Sequence, residues 1–308
     1  MHNKPTAIAF GELLWDVFPE GAVIGGAPAN FGNQLSRLGI LVSLITSLGK
    51  DKLGDQAQEI VEELGLDCTH VQRSEDHPTG TVDIVLSEAG KPDFTINEGV
   101  AYDYIELSPE LLNLSQNCDL VYFGTMVQRA EASRSTLYSL LDASTNSIKF
   151  LDINLRKNCY SDQTITDSLN YCDILKLSDD EIGHLIELYE LPKDFPSAVS
   201  ALVEKFNLKA CILSLGDKGL YAANKNEVAY VPGYSVEVVD TVGAGDACSA
   251  GFCFNYLNEK SLKECCELAN ALGAITSTKK GGMPKITAEE ISAFLRDNKP
   301  QNFHTSFE

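Results

Sequence analysis

Basic residues are scarce in this 308-residue chain: 24 lysines and arginines face 44 aspartates and glutamates, for a net charge of −20. With a pI near 4.6, the chain lacks the basic face that nucleic acid or an anionic membrane surface would need. Any phosphate-bearing ligand would have to be met by local N–H groups, a few basic side chains and a metal ion. The nine cysteines include no C-x-x-C pair and no metal-ligand spacing. That reads better as buried thiols in a reducing, cytoplasmic setting than as a disulfide framework. No stretch is apolar for long enough to span a bilayer, and Glu12 and Asp16 interrupt the apolar run that starts near Ala7. A G-x-x-x-x-G-K-[ST] loop is missing, as is a G-x-G-x-x-G fingerprint after the first strand. These absences argue against a P-loop enzyme and a dinucleotide oxidoreductase. None of the five histidines stands at ligand spacing from a cysteine or carboxylate.

What is present is a large apolar fraction, 44% of the chain, ample for a sizeable core. Short apolar runs read as buried strands: Ala7–Phe10, Leu41–Leu48, Leu120–Phe123, Ile148–Ile153, Ile174–Leu177 and Ala210–Leu215. Between them Asp55–Leu64, Ala130–Ala143, Asp179–Tyr189 and Ser197–Phe206 have helical periodicity. This alternation predicts an α/β fold with a mostly parallel sheet covered on both faces, whose ligands collect at the carboxyl ends of the strands. No repeat or linker divides the chain, so residues 1–308 are expected to form a single domain. One region departs from the pattern. Gly80–Ser87 alternates in period two and is followed, after Ala89-Gly90-Lys91-Pro92, by Asp93–Asn97. That is a hairpin signal, and with Leu13–Ile24 it predicts a small sheet, a lid built from segments near 12–25 and 78–105. Its exposed edges favour pairing with the lid of a second copy, a homodimer.

The run DTVGAGDACSAGF, Asp240 to Phe252, places Asp246 behind a glycine turn at the start of an apolar helix. Gly243, Ala244 and Gly245 have little side-chain bulk, so their N–H groups can gather around an anion where the helix dipole already favours negative charge. Asp246 beside such a cradle can take a proton from an attacking hydroxyl, or it can simply cap the helix. Gly25-Gly26-Ala27-Pro28-Ala29-Asn30 precedes a helix with Phe31, Leu35 and Leu38 on one face. Gly26 allows close backbone approach and Asn30 can both donate to and accept from hydroxyls, unless it serves an ordinary turn. Asp16 can hold two neighbouring hydroxyls or sit on the lid surface. Arg156, past the strand through Ile153, is open to phosphate or substrate contact and equally to a salt bridge. Ser178-Asp179-Asp180-Glu181 has the form of a capping box, and Glu181 can alternatively position hydrated Mg²⁺. Ser214-Leu215-Gly216-Asp217-Lys218-Gly219 is a strand followed by a glycine-bounded turn.

Taken together, GGAPANFGNQLSRLG and DTVGAGDACSAGF resemble the two signature segments of the ribokinase-like, phosphofructokinase B type carbohydrate kinases, and the resemblance covers nearly the whole chain. It is most similar to the bacterial fructokinases through Gly11-Glu12-Leu13-Leu14-Trp15-Asp16, Thr79-Gly80-Thr81-Val82, Val100-Ala101-Tyr102-Asp103-Tyr104-Ile105 and Asp152-Ile153-Asn154-Leu155-Arg156. The resemblance implies a three-layer α/β/α core with a β-sheet lid. It implies Asp246 as catalytic base with Gly243, Ala244 and Gly245 as anion hole, and Asp16, Gly26, Asn30 and Arg156 around the sugar. Ser214, Gly216 and Gly219 would meet the nucleotide, with Asn270 and Ala271 at the adenine. Glu181 would serve Mg²⁺ through water, although Ser178 replaces the asparagine of the family's N-x-x-E motif. Asp240, Val242 and Gly282 would border a K⁺ site. The expected reaction is transfer of the γ-phosphoryl group of MgATP to a primary hydroxyl of a free sugar, D-fructose giving fructose 6-phosphate. Ribose, 2-keto-3-deoxygluconate or a nucleoside as acceptor, and a non-catalytic sugar sensor on the same fold, are the alternatives.

Overall fold

The computed structural model describes residues 4–19, 21–86, 92–301 and 303–307. Its first elements are β1 (Thr6–Phe10), β2 (Leu14–Phe18), β3 (Gly21–Gly25), α1 (Ala27–Arg37), β4 (Leu41–Gly49), α2 (Lys52–Glu63), β5 (Val71–Ser74), β6 (Gly80–Leu86) and β7 (Pro92–Ile96). Strand and helix then alternate through α3 (Pro109–Gln116), β8 (Leu120–Phe123), α4 (Glu131–Ala143), β9 (Ile148–Asp152), α5 (Asp162–Tyr171), β10 (Ile174–Ser178), α6 (Asp179–Tyr189), α7 (Phe195–Lys205) and β11 (Ala210–Ser214). The remainder comprises β12 (Leu220–Ala223), β13 (Val228–Val231), α8 (Ala244–Leu257), α9 (Leu262–Ser277) and α10 (Ala288–Asp297).

The large sheet has the order β13-β12-β11-β10-β9-β8-β1-β4-β5. It is parallel from β11 to β5 and antiparallel only at β12 and β13. Side-chain alternation explains its two covered faces. Ile8 and Phe10 of β1 pack with Leu140, Ile165, Leu185 and Leu202 from α4 to α7. Ala7 and Ala9 turn the other way, toward Phe31, Val61, Phe252 and Cys266 of α1, α2, α8 and α9. The result is the expected three-layer α/β/α core. The strand order reverses between β1 and β8, which opens a crevice at their carboxyl ends. Eight of the nine cysteines are buried, and no helix among the described residues is long and apolar enough to cross a membrane.

The six expected core strands match to within one residue at each end, as do the helices α4 and α6, whereas the starts of α2 and α7 differ for a physical reason. Asp51 accepts from the Gly54 N–H at 2.8 Å and Asp194 from the Ser197 N–H at 3.0 Å, so α2 and α7 begin earlier than apolar periodicity implied. Similarly, α1 begins at Ala27 with a proline in its first turn, so Asn30 lies inside the helix rather than before it.

A second sheet, β3-β2-β6-β7, forms the lid. Leu14 of β2 pairs in parallel with Gly80 of β6, while β3 and β7 flank them antiparallel. The expected Ala89-Gly90-Lys91 turn lies outside the described residues, as do Glu20 and Ser87. A buried ion pair roots this sheet: Arg129 Nε donates to Asp103 Oδ1 at 2.8 Å, and Nη2 to the Asn97 carbonyl at 2.6 Å and the Tyr102 hydroxyl at 3.0 Å.

Phe31 ties α1 to the sheet, its ring stacked on Tyr122 with centroids 3.9 Å apart. Phe31→Ala is expected to cost about 3–5 kcal/mol of stability, measured by urea unfolding; a loss below 1 kcal/mol would contradict this packing.

Candidate active site

Helices α1 and α8 both start at the carboxyl edge of the sheet, and their first turns meet. Gly26 precedes α1 with φ of 117°, and a methyl group there would stand 2.4 Å from the Glu12 carbonyl oxygen. Gly243 precedes α8 with φ of 76°, and a methyl group would stand 2.4 Å from the Gly282 carbonyl oxygen. Only glycine fits either turn. Asn30 Nδ2 donates to Asp246 Oδ2 at 2.8 Å, a contact spanning 216 residues. An ionised carboxylate can only accept, which fixes the Asn30 amide with Oδ1 pointing elsewhere. That oxygen is buried without a partner among the described residues.

At the start of α8 the Ala244 N–H turns back to Thr241 O at 3.2 Å, while the N–H groups of Gly243, Gly245 and Asp246 have no acceptor among the described residues. Of the three expected anion-hole amides, two are therefore free, and Asp246 adds its own. Gly243, at the N-cap position, offers no side chain, and Asp246 sits in the first turn, bonded to Asn30 instead of capping.

Burial raises the Asp246 pKa to about 6, helped by the negative charge of Asp152 and opposed by Asn30, Lys176 and Arg156. Glu12, just past β1 and 4% exposed, accepts from the Ala27 N–H at 3.2 Å and is pushed by burial to about 7. Asp16, partly buried on β2, is also raised by burial, with Arg156 pulling it down. Gly25 leaves room for it: a methyl group there would lie 2.8 Å from Asp16 Oδ2. Arg156 is exposed, and its guanidinium makes no ion pair or hydrogen bond among the described residues, yet its charge is felt at Glu12, Asp16 and Asp246. The salt bridge considered for it is thus not formed. Asp16, Gly26, Asn30, Arg156 and the Gly243–Asp246 turn thus lie near one another.

Against the first turn of α8 lies a buried polar network. Lys176 Nζ donates to both oxygens of Asp152 at 3.0 Å, Ser249 Oγ lies 3.0 Å from Asp152 Oδ2 and 3.1 Å from Gly245 O, and the Tyr122 hydroxyl donates to Asp152 at 3.3 Å. Burial opposes the Lys176 charge, but Asp152 and Glu181 outweigh it and hold the ammonium protonated. A methyl group on Gly245 would stand 3.1 Å from Lys176 Nζ, which places this cation directly under the first turn of α8. Sequence reading did not single out Glu12, Asp152, Lys176 or Ser249 for a role. The available signal was a charged residue within an apolar strand, Lys176 in ILKLS and Asp152 in IKFLD.

Glu181 accepts from the Ser178 N–H and from the Leu155 N–H, each at 2.8 Å. The helix-start reading is present, and the same carboxylate also fixes the loop around Asn154, whose φ is 42°. Asp240 accepts from Val242 N–H at 3.0 Å and Gly281 N–H at 2.9 Å, joining the two loops that border the cradle. Gly282 lies against Asn30, where a methyl group would be 2.5 Å from Oδ1.

The residues expected around a nucleotide form a second group at the ends of β10 and β11, where Ser178 and Ser214 are register partners. Gly216 and Gly219 bound a turn packed on β13, since a methyl group on Gly219 would stand 2.0 Å from Val231 O. Asn270 Nδ2 donates to Pro232 O at 2.8 Å, next to that turn. Ala271 is fully buried, so only Asn270 of that pair has surface to offer.

The model of the pfkB family carbohydrate kinases matches residues 8–289. The chain is similar to "Probable fructokinase-3" of Arabidopsis thaliana, 27% identical over 99% of this chain and 95% of the relative. Its fold resembles that of a Xylella fastidiosa fructokinase with bound ATP, with a TM-score of 0.84 at 18% identity over 96% of this chain and 99% of the other. A Vibrio cholerae O395 fructokinase bound to fructose, ADP and calcium ion gives a TM-score of 0.81 at 22% identity over 94% and 99%.

A carboxyl group raised from 4.5 to about 7 destabilises the folded chain once it must ionise. Between those pH values the unfolded chain has lost the Glu12 proton and the folded chain keeps it, so stability falls as pH rises through the window, by on the order of 3 kcal/mol. Glu12→Gln should therefore raise the melting temperature at pH 8 and leave it unchanged at pH 4; equal shifts at both would refute the assignment.

Proposed function

The chain belongs to the pfkB family of carbohydrate kinases, and we propose that its reaction is transfer of the γ-phosphoryl group of ATP to a primary hydroxyl of a free sugar, D-fructose giving fructose 6-phosphate. The observation that carries this reading is the Asp246 carboxylate, bonded to Asn30 at 2.8 Å beside the unsatisfied amides of Gly243 and Gly245. Asp246 removes the hydroxyl proton as the sugar oxygen bonds to phosphorus, and the bond from phosphorus to the departing ADP oxygen breaks. With a pKa of about 6 the carboxylate is mostly ionised at neutral pH yet basic enough to accept that proton. The Gly243, Gly245 and Asp246 N–H groups, with Lys176 below them, receive negative charge as it develops on the phosphoryl oxygens. Ala244 joins them only by giving up its bond to Thr241.

Asp16, Asn30 and the backbone at Gly26 supply polar groups and close approach for sugar hydroxyls, and Arg156 stands near them. The Leu13–Ile24 segment contains no basic residue, which disfavours an already phosphorylated sugar. Relatives named fructokinase support fructose within this class. No group of three or more His, Cys, Asp or Glu among the described residues is arranged to hold a metal. Mg²⁺ would therefore arrive with the nucleotide, neutralising phosphate charge, and meet Glu181 through water. Asp240 holds the Val242 and Gly281 N–H groups, next to Gly282, in the backbone that would border K⁺. The lid edges β3 and β7 have no further strand neighbour among the described residues, and Phe94 on β7 is exposed. Both features support a homodimer through the lid.

Asp246→Asn should fold normally and retain sugar binding while turnover falls by about 10²–10⁴-fold. In the wild type, kcat/KM should fall as pH drops below about 6, as Asp246 takes up a proton. Near-normal turnover in the folded variant would reject Asp246 as base. An ADP-release assay across free sugars should rank fructose first. Preference for ribose, 2-keto-3-deoxygluconate or a nucleoside would replace it, and sugar binding without ADP release would indicate a sensor.

A further inference from the structure

The turn from Gly216 to Gly219 is held from behind by a part of the chain far away in sequence. Tyr230, near the end of β13, donates its hydroxyl proton to the Lys218 carbonyl at 2.8 Å and accepts from the His304 N–H at 2.7 Å. The phenol thus has its donor and an acceptor site occupied, one by the turn and one by residues beyond α10. A second bridge runs parallel to it, with the Gln301 N–H donating to Gly233 O at 2.8 Å. Gly233 in turn abuts the turn so closely that a methyl group there would stand 1.8 Å from Asp217 O.

Aromatic packing explains why this segment docks. Tyr221 and Tyr230 are directly opposed across β12 and β13. Phe307 stacks on both, with centroids 4.5 Å and 4.8 Å away, while His304 lies 5.7 Å from Phe195 of α7. Cross-strand aromatic pairs of this kind present a flat apolar surface that a third ring can cover.

We propose that Gln301 and residues 303–307 act as a strap that fixes the Gly216–Gly219 turn and the Pro232–Gly233 wall in the form that binds the nucleotide, with Tyr230 as the positioning residue between strap and turn. This rests on the reading of that turn as nucleotide contact. Among the described residues the strap makes no hydrogen bond to Asp246 or Asn30, so its effect is expected on the nucleotide and not on the sugar.

Tyr230→Phe deletes the two hydrogen bonds and keeps the ring, whereas Phe307→Ala deletes the stack and keeps the phenol. Each is expected to weaken ADP binding, measured by calorimetry, and to raise the KM for ATP by about three- to tenfold, with kcat and the sugar KM within twofold of wild type. Phe307→Tyr should restore wild-type values. Circular dichroism establishes folding, and a variant that fails to fold is replaced by Phe307→Leu, which retains apolar cover but not stacking. Unchanged nucleotide binding in folded variants, or equal loss for nucleotide and sugar, would overturn the strap. Absence of ADP binding to the wild type would instead overturn the nucleotide reading itself.

Discussion

The hydrogen bond from Asn30 to Asp246 is the contact on which the site depends. It joins the first turns of two helices drawn from opposite ends of the chain, so both positive helix ends face one crevice. Two glycines with positive φ, Gly26 and Gly243, bring those turns within van der Waals contact of the opposing backbone. Replacing either with any L-residue would displace its helix start and pull Asn30 and Asp246 out of hydrogen-bond reach.

An acidic protein that handles phosphate has an electrostatic problem, and here the solution is local. Glu12, Asp152 and Asp246 are gathered under low solvent exposure, each with a raised carboxyl pKa. Helix N-termini and the buried Lys176 offset their mutual repulsion without making the surface basic. The Asp152–Lys176 pair is buried on both sides, and removing one partner would strand the other's charge. This cation reaches the cradle from the core side, where solvent cannot screen it. Arg156 stands on the exposed side, with no ion pair among the described residues.

Much of this was legible in order along the chain. Apolar runs placed six core strands within one residue because a buried strand must be continuously apolar. The glycine run before Asp246 announced a helix start open to anions, and period-two alternation at Gly80 marked the lid. Helix starts were less legible, because the caps Asp51 and Asp194 lie before the apolar period begins. Glu181 shows the limit of local pattern: its S-x-x-E spacing announces a bond to Ser178, but nothing near it in sequence announces Leu155.

Sequence by itself determined the layered architecture, the carboxyl edge of the sheet and the two glycine turns, because periodicity and backbone freedom are properties of neighbouring residues. Tertiary structure alone decided that Asn30 reaches Asp246 and that Lys176 lies beneath Gly245. It also decided that Tyr230 joins the turn at Lys218 to the backbone of His304. These are pairings across tens to hundreds of residues, fixed by which strands lie side by side, and no local pattern encodes strand order.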